Sequence, residues 1–301
     1  MSLHVFANFV TPFGTAANNR GDNEGANVTP LQKLIWMGET HTTVSAEAIR
    51  FALRRLLAGT EKSGTNRQWN EDDRNNTWKD WAFKGWDTPD GATFIDDDLL
   101  GFMTAEAAGK DGSDGAVKEK GAANVRRAVL EVTRAVSLTP WSGDVTFNAA
   151  SPGATPSAQK KGSNPVPYGT EVHATRYQYG IALTPERLRD KSRAAKAVEA
   201  LCNLGTVAGN HGRFLFDFSP DAVVLRITSD PAPRLLYCFD TPDNGRTVTA
   251  PRLAKRVADG DIDPKELVVA GVEVAGVVGK QGVKAACAEA VGRITESLKK
   301  G

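Results

Sequence analysis

The order of regular segments in the sequence predicts an α+β fold of the β-α-β-β-α-β, ferredoxin-like type. Two observations carry this expectation. Apolar residues recur at helical spacing in two stretches, 45–58 and 185–204. Short β-rich stretches flank both, at 3–10, 125–139, 171–183 and 223–228. Such a topology pairs an antiparallel sheet with helices on one face and leaves the other face open for binding. The 301 residues allow two domains or one elaborated domain.

Each element has its reason. LHVFANFV (3–10) alternates and opens the sheet. TPFGTAANNRGDNEG, dense in Gly, Asn and Asp, reads as a long loop. LQKLIWM (31–37) is a short apolar piece ending at Gly38. Ser45 is a good N-cap, because its hydroxyl can accept an orphan backbone N–H. Ile49, Ala52, Leu53, Leu56 and Leu57 then form the apolar stripe, and Gly59 suits the stop. VRRAVLEVTRAVSLT and EVHATRYQYGIAL read as the next two strands. The second offers Val172, Ala174, Tyr177, Tyr179 and Ile181 as apolar contacts. In the second helix Ala194, Ala197, Val198 and Leu201 point inward. VVLRIT (223–228) and RLLYCF (234–239) both read as strands, and a helix closes the chain near 281–298.

Two segments interrupt this pattern. Residues 60–121 are acidic and glycine-rich and hold four of the six Trp, at 69, 78, 81 and 86. NNTWKDWAFKGW reads there as a short helix gathering its rings into a satellite cluster. Residues 142–170, rich in Pro, Gly and Ser, join two strands by so long a connection that a hairpin with a protruding arm is expected.

Composition excludes several classes. No apolar run approaches the 18 or so residues of a membrane span. The N-terminus lacks a signal-peptide pattern. Three scattered cysteines, Cys202, Cys238 and Cys287, fit a reducing cytoplasm and neither a disulfide framework nor a zinc site. The formal net charge is +1, but residues 61–114 carry 13 acids against 6 bases, and 126–213 carry 12 bases against 6 acids. That asymmetry points to a nucleic-acid partner or to association between unlike faces.

Five pieces of the sequence share a resemblance. AANNRGDNEGANVTPLQKLIWMGETHTTVSAEAIRFALR (16–54), FIDDDLLGFM (94–103), RRAVLEVTRAVSL (126–138), YQYGIAL (177–183) and GNHGRFLFDFSPDAVVLR (209–226) occur in order. Together they resemble the DevR family of CRISPR-associated proteins, the repeated backbone subunits of type I-B Cascade. The likeness runs from residue 3 to about 228, roughly three quarters of the chain.

The resemblance implies a hand-like subunit. An RRM-like palm, completed by residues 229–301, would carry fingers at 60–121 and a thumb hairpin at 142–170. Several copies would assemble head-to-tail along one guide crRNA, each thumb flipping out a base and leaving short segments to pair with target DNA. Other partners implied are the small capping backbone subunit, the large subunit and the guide-processing endoribonuclease, with a transposition adaptor where the system guides a transposon. The localisation implied is cytoplasmic, without membrane, cofactor or metal.

An RNA backbone needs positive charge and N–H donors. Arg50 and Arg54, one turn apart on the polar helix face with Glu47, could reach one strand of phosphates. HTTVSAE, with His41, Thr42, Thr43 and Ser45, offers hydroxyls and free N–H groups at the helix start. Asn18, Asn19 and Arg20 fall in the loop after the first strand. Arg126 and Arg127 precede a palm strand, Arg176 lies in the next, and Lys160 and Lys161 sit in the arm. Asn210, His211 and Arg213 lie in a glycine-flanked turn. The rival reading is a metal-dependent endoribonuclease using Asp96, Asp97 and Asp98. Three consecutive acids cannot all face one ion, so a solvated or capping role is preferred for them. The four His show no ligand spacing, and no nucleophile motif occurs, so the expected protein is non-enzymatic.

Overall fold

The computed structural model describes residues 2–21, 27–105, 123–153, 166–209 and 214–300. The chain runs through β1 (His4–Val10), β2 (Gly14–Ala16), β3 (Val28–Thr29), β4 (Lys33–Trp36), β5 (Glu39–Val44) and α1 (Ala46–Leu57). The hairpin β6 (Arg67–Asn70) and β7 (Asn75–Trp78) follows, then α2 (Ile95–Leu100) and a second hairpin, β8 (Phe102–Ala105) with β9 (Ala123–Arg126). Next come β10 (Leu130–Val132), β11 (Ala135–Ser137), β12 (Val145–Ala150), β13 (Val166–Glu171), β14 (His173–Thr175), β15 (Tyr177–Leu183) and α3 (Arg193–Cys202). The C-terminal part holds β16 (Ala222–Thr228), α4 (Pro251–Ala258), β17 (Leu267–Ala270) and α5 (Val283–Lys300).

The main sheet is antiparallel, in the order β17-β16-β1-β15-β11-β5-β4, with β10 also on β15. The α+β class therefore holds. Alternation explains why β1 is central. Val5, Ala7 and Phe9 face one side, where Ile49, Leu53 and Leu57 of α1, Ala194, Ala197, Val198 and Leu201 of α3, and Ala286, Ala290 and Ile294 of α5 cover them. Each fully buried Leu or Ile contributes roughly 1.5–3 kcal/mol. Ser45 caps α1 as expected, its Oγ accepting from Ala48 N at 3.2 Å.

The second sheet face is not open. Phe6, Val10 and Val224 are covered by Leu235, Cys238, Phe239 and Leu253 of the C-terminal segment. RLLYCF is accordingly not a strand. Arg234 and Tyr237 take positive φ of 57° and 53°, which breaks the extended backbone. Side chains of the sheet hold the segment instead: Asn8 Oδ1 accepts from Tyr237 N at 3.1 Å and Gln178 Oε1 from Phe239 N at 3.2 Å. Gly180 permits the close approach, since a Cβ there would meet Leu236 Cδ2 at 2.5 Å.

Other expectations shift for local reasons. The loop after β1 includes the short strand β2, paired with β14. The stretch 125–139 breaks into β9, β10 and β11: between the first two, Val129 N turns aside to Leu99 O at 3.0 Å, and between the last two the Thr133 hydroxyl accepts from Gly180 N at 2.8 Å. The second helix starts at Arg193, since Arg189 and Asp190 give their N–H groups to Asp98. NNTWKDWAFKGW is a strand and a turn, with helical character limited to a 3-10 turn at Lys84–Trp86; Asn66 brackets the turn by accepting from Asp80 N and donating to Asp80 O. Its rings do form the satellite cluster, with Phe83 stacked on Phe102 at 3.8 Å and Trp78 edge-on to Phe83 at 5.6 Å. The long connection is a hairpin, β12 against β13, with β3 adding parallel to β13.

Candidate nucleic-acid interface

The acidic turn of α2 is the largest departure. Asp96, Asp97 and Asp98 are 1%, 3% and 0% exposed, neither solvated nor capping. Asp96 accepts from the backbone N–H groups of Asn66 (2.7 Å) and Arg67 (3.1 Å) and from Arg54 Nε (3.1 Å). Asp98 takes four donors: Arg126 Nη2 (2.7 Å), Arg193 Nη1 (3.0 Å), Arg189 N (2.9 Å) and Asp190 N (3.1 Å). Asp97 meets only Asn66 Nδ2, at 2.9 Å, and burial beside Asp96 pushes its carboxyl up to about 7. The three carboxylates thus serve three different sets of partners. Among the described residues no group of three or more His, Cys, Asp or Glu is arranged to hold a metal ion.

This turn claims several arginines expected on the surface. Arg54 is paired with Asp96 and only 15% exposed. Arg50 donates to the Leu100 carbonyl, and its guanidinium is held below its ordinary pKa by burial and by Arg54. Arg126 is paired with Asp98 and lies over the Trp86 ring at 4.1 Å. Arg50 and Arg54 therefore do not present two free charges; a helix-face argument cannot see the α2 carboxylate and carbonyl opposite. Arg176 is likewise a clamp, donating to Gly245 O (2.8 Å), Thr11 O (3.0 Å) and Asp221 (2.5 Å).

The HTT segment is a buried strand rather than an exposed helix start. His41 Nδ1 meets Ser137 O at 2.7 Å. The Thr42 hydroxyl bonds His173 Nδ1 (2.7 Å) and Tyr177 OH (2.8 Å), and Thr139 reaches His173 Nε2 at 3.3 Å. Burial drops the His173 imidazole to about 4. Asn18 and Asn19 are also buried. Asn18 donates to Val207 O at 3.1 Å, while Asn19 donates to Thr43 O at 2.8 Å and accepts from Ser45 N at 3.2 Å. Asn19 thus fixes the α1 start, and the other buried groups tie strands and loops together rather than face solvent.

One surface does gather cations. Arg20 Nε is buried and finds no hydrogen-bond acceptor among the described residues, and burial lowers the Arg20 pKa. Arg134, exposed, donates to Gln32 Oε1 (3.0 Å) and Thr43 Oγ1 (3.1 Å), and Gln32 Nε2 donates to Arg20 O at 3.4 Å. Trp36 and Tyr237 lie 5.0 Å apart, and Tyr237 OH donates to Arg134 O at 2.7 Å. The β12–β13 hairpin springs from the same side, since β13 joins β3 just beyond the Arg20 loop. Phe147 on β12 is 80% exposed. Arg127 is exposed and has no ion-pair partner among the described residues. Gln32, Trp36, Arg134 and Tyr237 were not among the sequence candidates. A cation inside the strand-like VTRAVS was the available signal for Arg134. Lys160, Lys161, Asn210, His211 and Arg213 lie outside the described residues.

The family model "CRISPR-associated negative auto-regulator DevR/Csa2" matches residues 12–236. The chain belongs to the DevR family of CRISPR-associated proteins. A relative from Myxococcus xanthus (strain DK1622), "CRISPR-associated protein Cas7/Cst2/DevR", is 60% identical over 306 aligned residues, covering 98% of each chain. Two solved structures share the fold. A chain of a "CRISPR RNA-guided surveillance complex" superposes with a TM-score of 0.57 at 14% identity, over 96% of this chain and 99% of that one. A chain of a "CRISPR RNA-guided surveillance complex, pre-nicking" gives 0.54 at 13%, over 97% and 100%. No helix among the described residues of this DevR-family chain is long and apolar enough to cross a membrane.

Proposed function

We propose that the chain is a non-catalytic backbone subunit of a type I-B CRISPR surveillance complex, repeated along one guide crRNA and holding it by phosphate contacts. The observation that carries this reading is the surface where Arg20 and Arg134 flank the α1 start beside a hairpin with an exposed Phe147. Cations and aromatics on one side are what a single strand needs, with phosphates neutralised and bases stacked. The order β16-β1-β15-β10/β11 supports an RRM-like palm, the insertion 60–121 supports fingers, and β12–β13 supports a thumb. Family membership and the fold shared with surveillance-complex chains favour target DNA, further copies of this chain and other Cascade subunits as partners. Target degradation and guided transposition are both compatible outcomes for such a complex.

A reusable subunit must accept any guide, so contacts to phosphate should dominate and sequence should be read by pairing. The test is Arg20→Ala with Arg134→Ala, co-expressed with three unrelated guides. The expected result is an equal loss of nuclease-protected RNA for all three and a salt slope reduced by about 1.4. Loss confined to one guide, or none, would refute the reading.

A further inference from the structure

A groove of about 410 Å³ lies between the C-terminal half of α1 and the β6–β7 hairpin. Arg55 is about 15 Å along the helix from Ser45, so the groove is distinct from the surface described above. Three guanidinium groups line it, those of Arg54, Arg55 and Arg67, against one carboxylate, Glu71. Asp96 engages Arg54 Nε, leaving Arg55 exposed with no ion pair among the described residues. Arg67 lies over the Trp78 ring at 5.4 Å, but its buried Nε has no hydrogen-bond partner among the described residues, and a buried unpaired donor is costly. Burial and the neighbouring Arg54 pull the Arg67 pKa down, partly offset by Asp96, and the lining itself sets three guanidinium groups against one carboxylate. Beside these charges Phe51 and Trp69 meet edge to face at 5.9 Å, and each keeps more than a third of its surface exposed. Two adjacent exposed aromatics next to unpaired guanidinium groups form a stacking platform with a phosphate clamp.

We propose that this groove binds one nucleotide of single-stranded nucleic acid, with its phosphate on Arg55 and Arg67 and its base on Trp69 and Phe51. The shared chemistry is an unpaired base with its phosphate, and two strands could supply it: the guide itself or a DNA strand brought to the assembled complex. Charge favours a nucleic acid over an apolar peptide, since a peptide would leave the guanidinium groups unanswered.

The experiment has two arms. Guide-loaded protein is irradiated with a non-complementary single-stranded DNA carrying 5-iododeoxyuridine, and guide-free protein with an RNA of the same length carrying 5-iodouridine. Crosslinked peptides are then mapped. The expected result is a crosslink to Trp69 or Phe51 in at least one arm, the productive arm identifying the strand. Arg55→Glu should weaken binding in that arm at least tenfold and lower its salt slope by about 1, with guide retention by nuclease protection unchanged where the DNA arm is the productive one and reduced where the RNA arm is. Trp69→Leu serves as a second variant should Arg55→Glu melt early, with the crosslink lost and guide retention following the same arm-dependent outcome. No crosslink at these residues in either arm, or wild-type binding by both variants, would overturn the proposal. So would protection of the groove by poly-glutamate without any base crosslink, which would assign it to an acidic protein surface. Guide retention is read separately, so failure here leaves the guide-holding function standing.

Discussion

Replacing Asp98 by Asn tests the part of the fold that composition hides best. The carboxylate is fully buried and accepts four hydrogen bonds, two of them charge-assisted from Arg126 and Arg193. The amide has nearly the same shape, so no cavity is created. It offers one accepting oxygen in place of two and turns an NH2 toward two of the four donors. Two arginines lose their counter-charge, and Arg193, itself 7% exposed, retains only Glu61. Breaking one member of such a buried pair costs about 3–5 kcal/mol. For a chain of this size that corresponds to a fall in Tm of roughly 5–8 °C. Denaturant unfolding followed by circular dichroism should show the loss nearly unchanged between 50 mM and 500 mM salt, because buried pairs are little screened. Arg127→Ala, at an exposed arginine, should stay within about 0.5 kcal/mol of wild type. A loss below 1 kcal/mol, or one abolished by salt, would refute the keystone role of Asp98.

Two further expectations concern the same turn. Asp97 keeps its proton to about pH 7, whereas an unfolded aspartate releases it near 3.8. The native state then holds more protons between these values, so its stability contribution is present at low pH and lost as pH rises through 7. Asp97→Asn should therefore gain about 2–4 kcal/mol over wild type at pH 8 and almost nothing at pH 4, and parallel pH profiles in denaturant melts would contradict this. Gly101→Ala should cost about 2–4 kcal/mol by the same assay: φ is +68°, and a Cβ would press on the Arg126 carbonyl and sit 2.7 Å from Ala128 N. A variant as stable as wild type would show that the β8–β9 hairpin shifts freely.

The helical stripe of α1 except Leu56, which is 40% exposed, its Ser45 cap, the central strand and the inward face of α3 were legible, because periodicity and capping are local properties. What lay beyond reach was long-range pairing. Arg54 reads as a surface cation on a helical wheel, and only the approach of α2 turns it into a strut. Likewise FIDDDL looks solvated until Asn66, Arg126 and Arg193 arrive from elsewhere in the chain. RLLYCF has strand composition, and nothing local announces the left-handed Arg234 and Tyr237. The charge asymmetry deserves a different reading too. Glu61 and Asp98 from the acidic block meet Arg126, Arg193 and Lys196 from the basic one, so part of the contrast is settled inside the molecule. For the candidate site, residue type was a fair guide and availability was not: of the arginines chosen from sequence, Arg20 and Arg127 remain open among the described residues.

The α2 turn also has a mechanical meaning. One helical turn grips the insertion through Asn66 and Arg67, the first helix through Arg54, and the start of the third through Asp98. A load on the β6–β7 hairpin is passed through these carboxylates to α1 and α3, which pack on the main sheet. An assembly of such units would bend at its subunit boundaries before it bent within them, and its pitch would be a property of the interfaces alone.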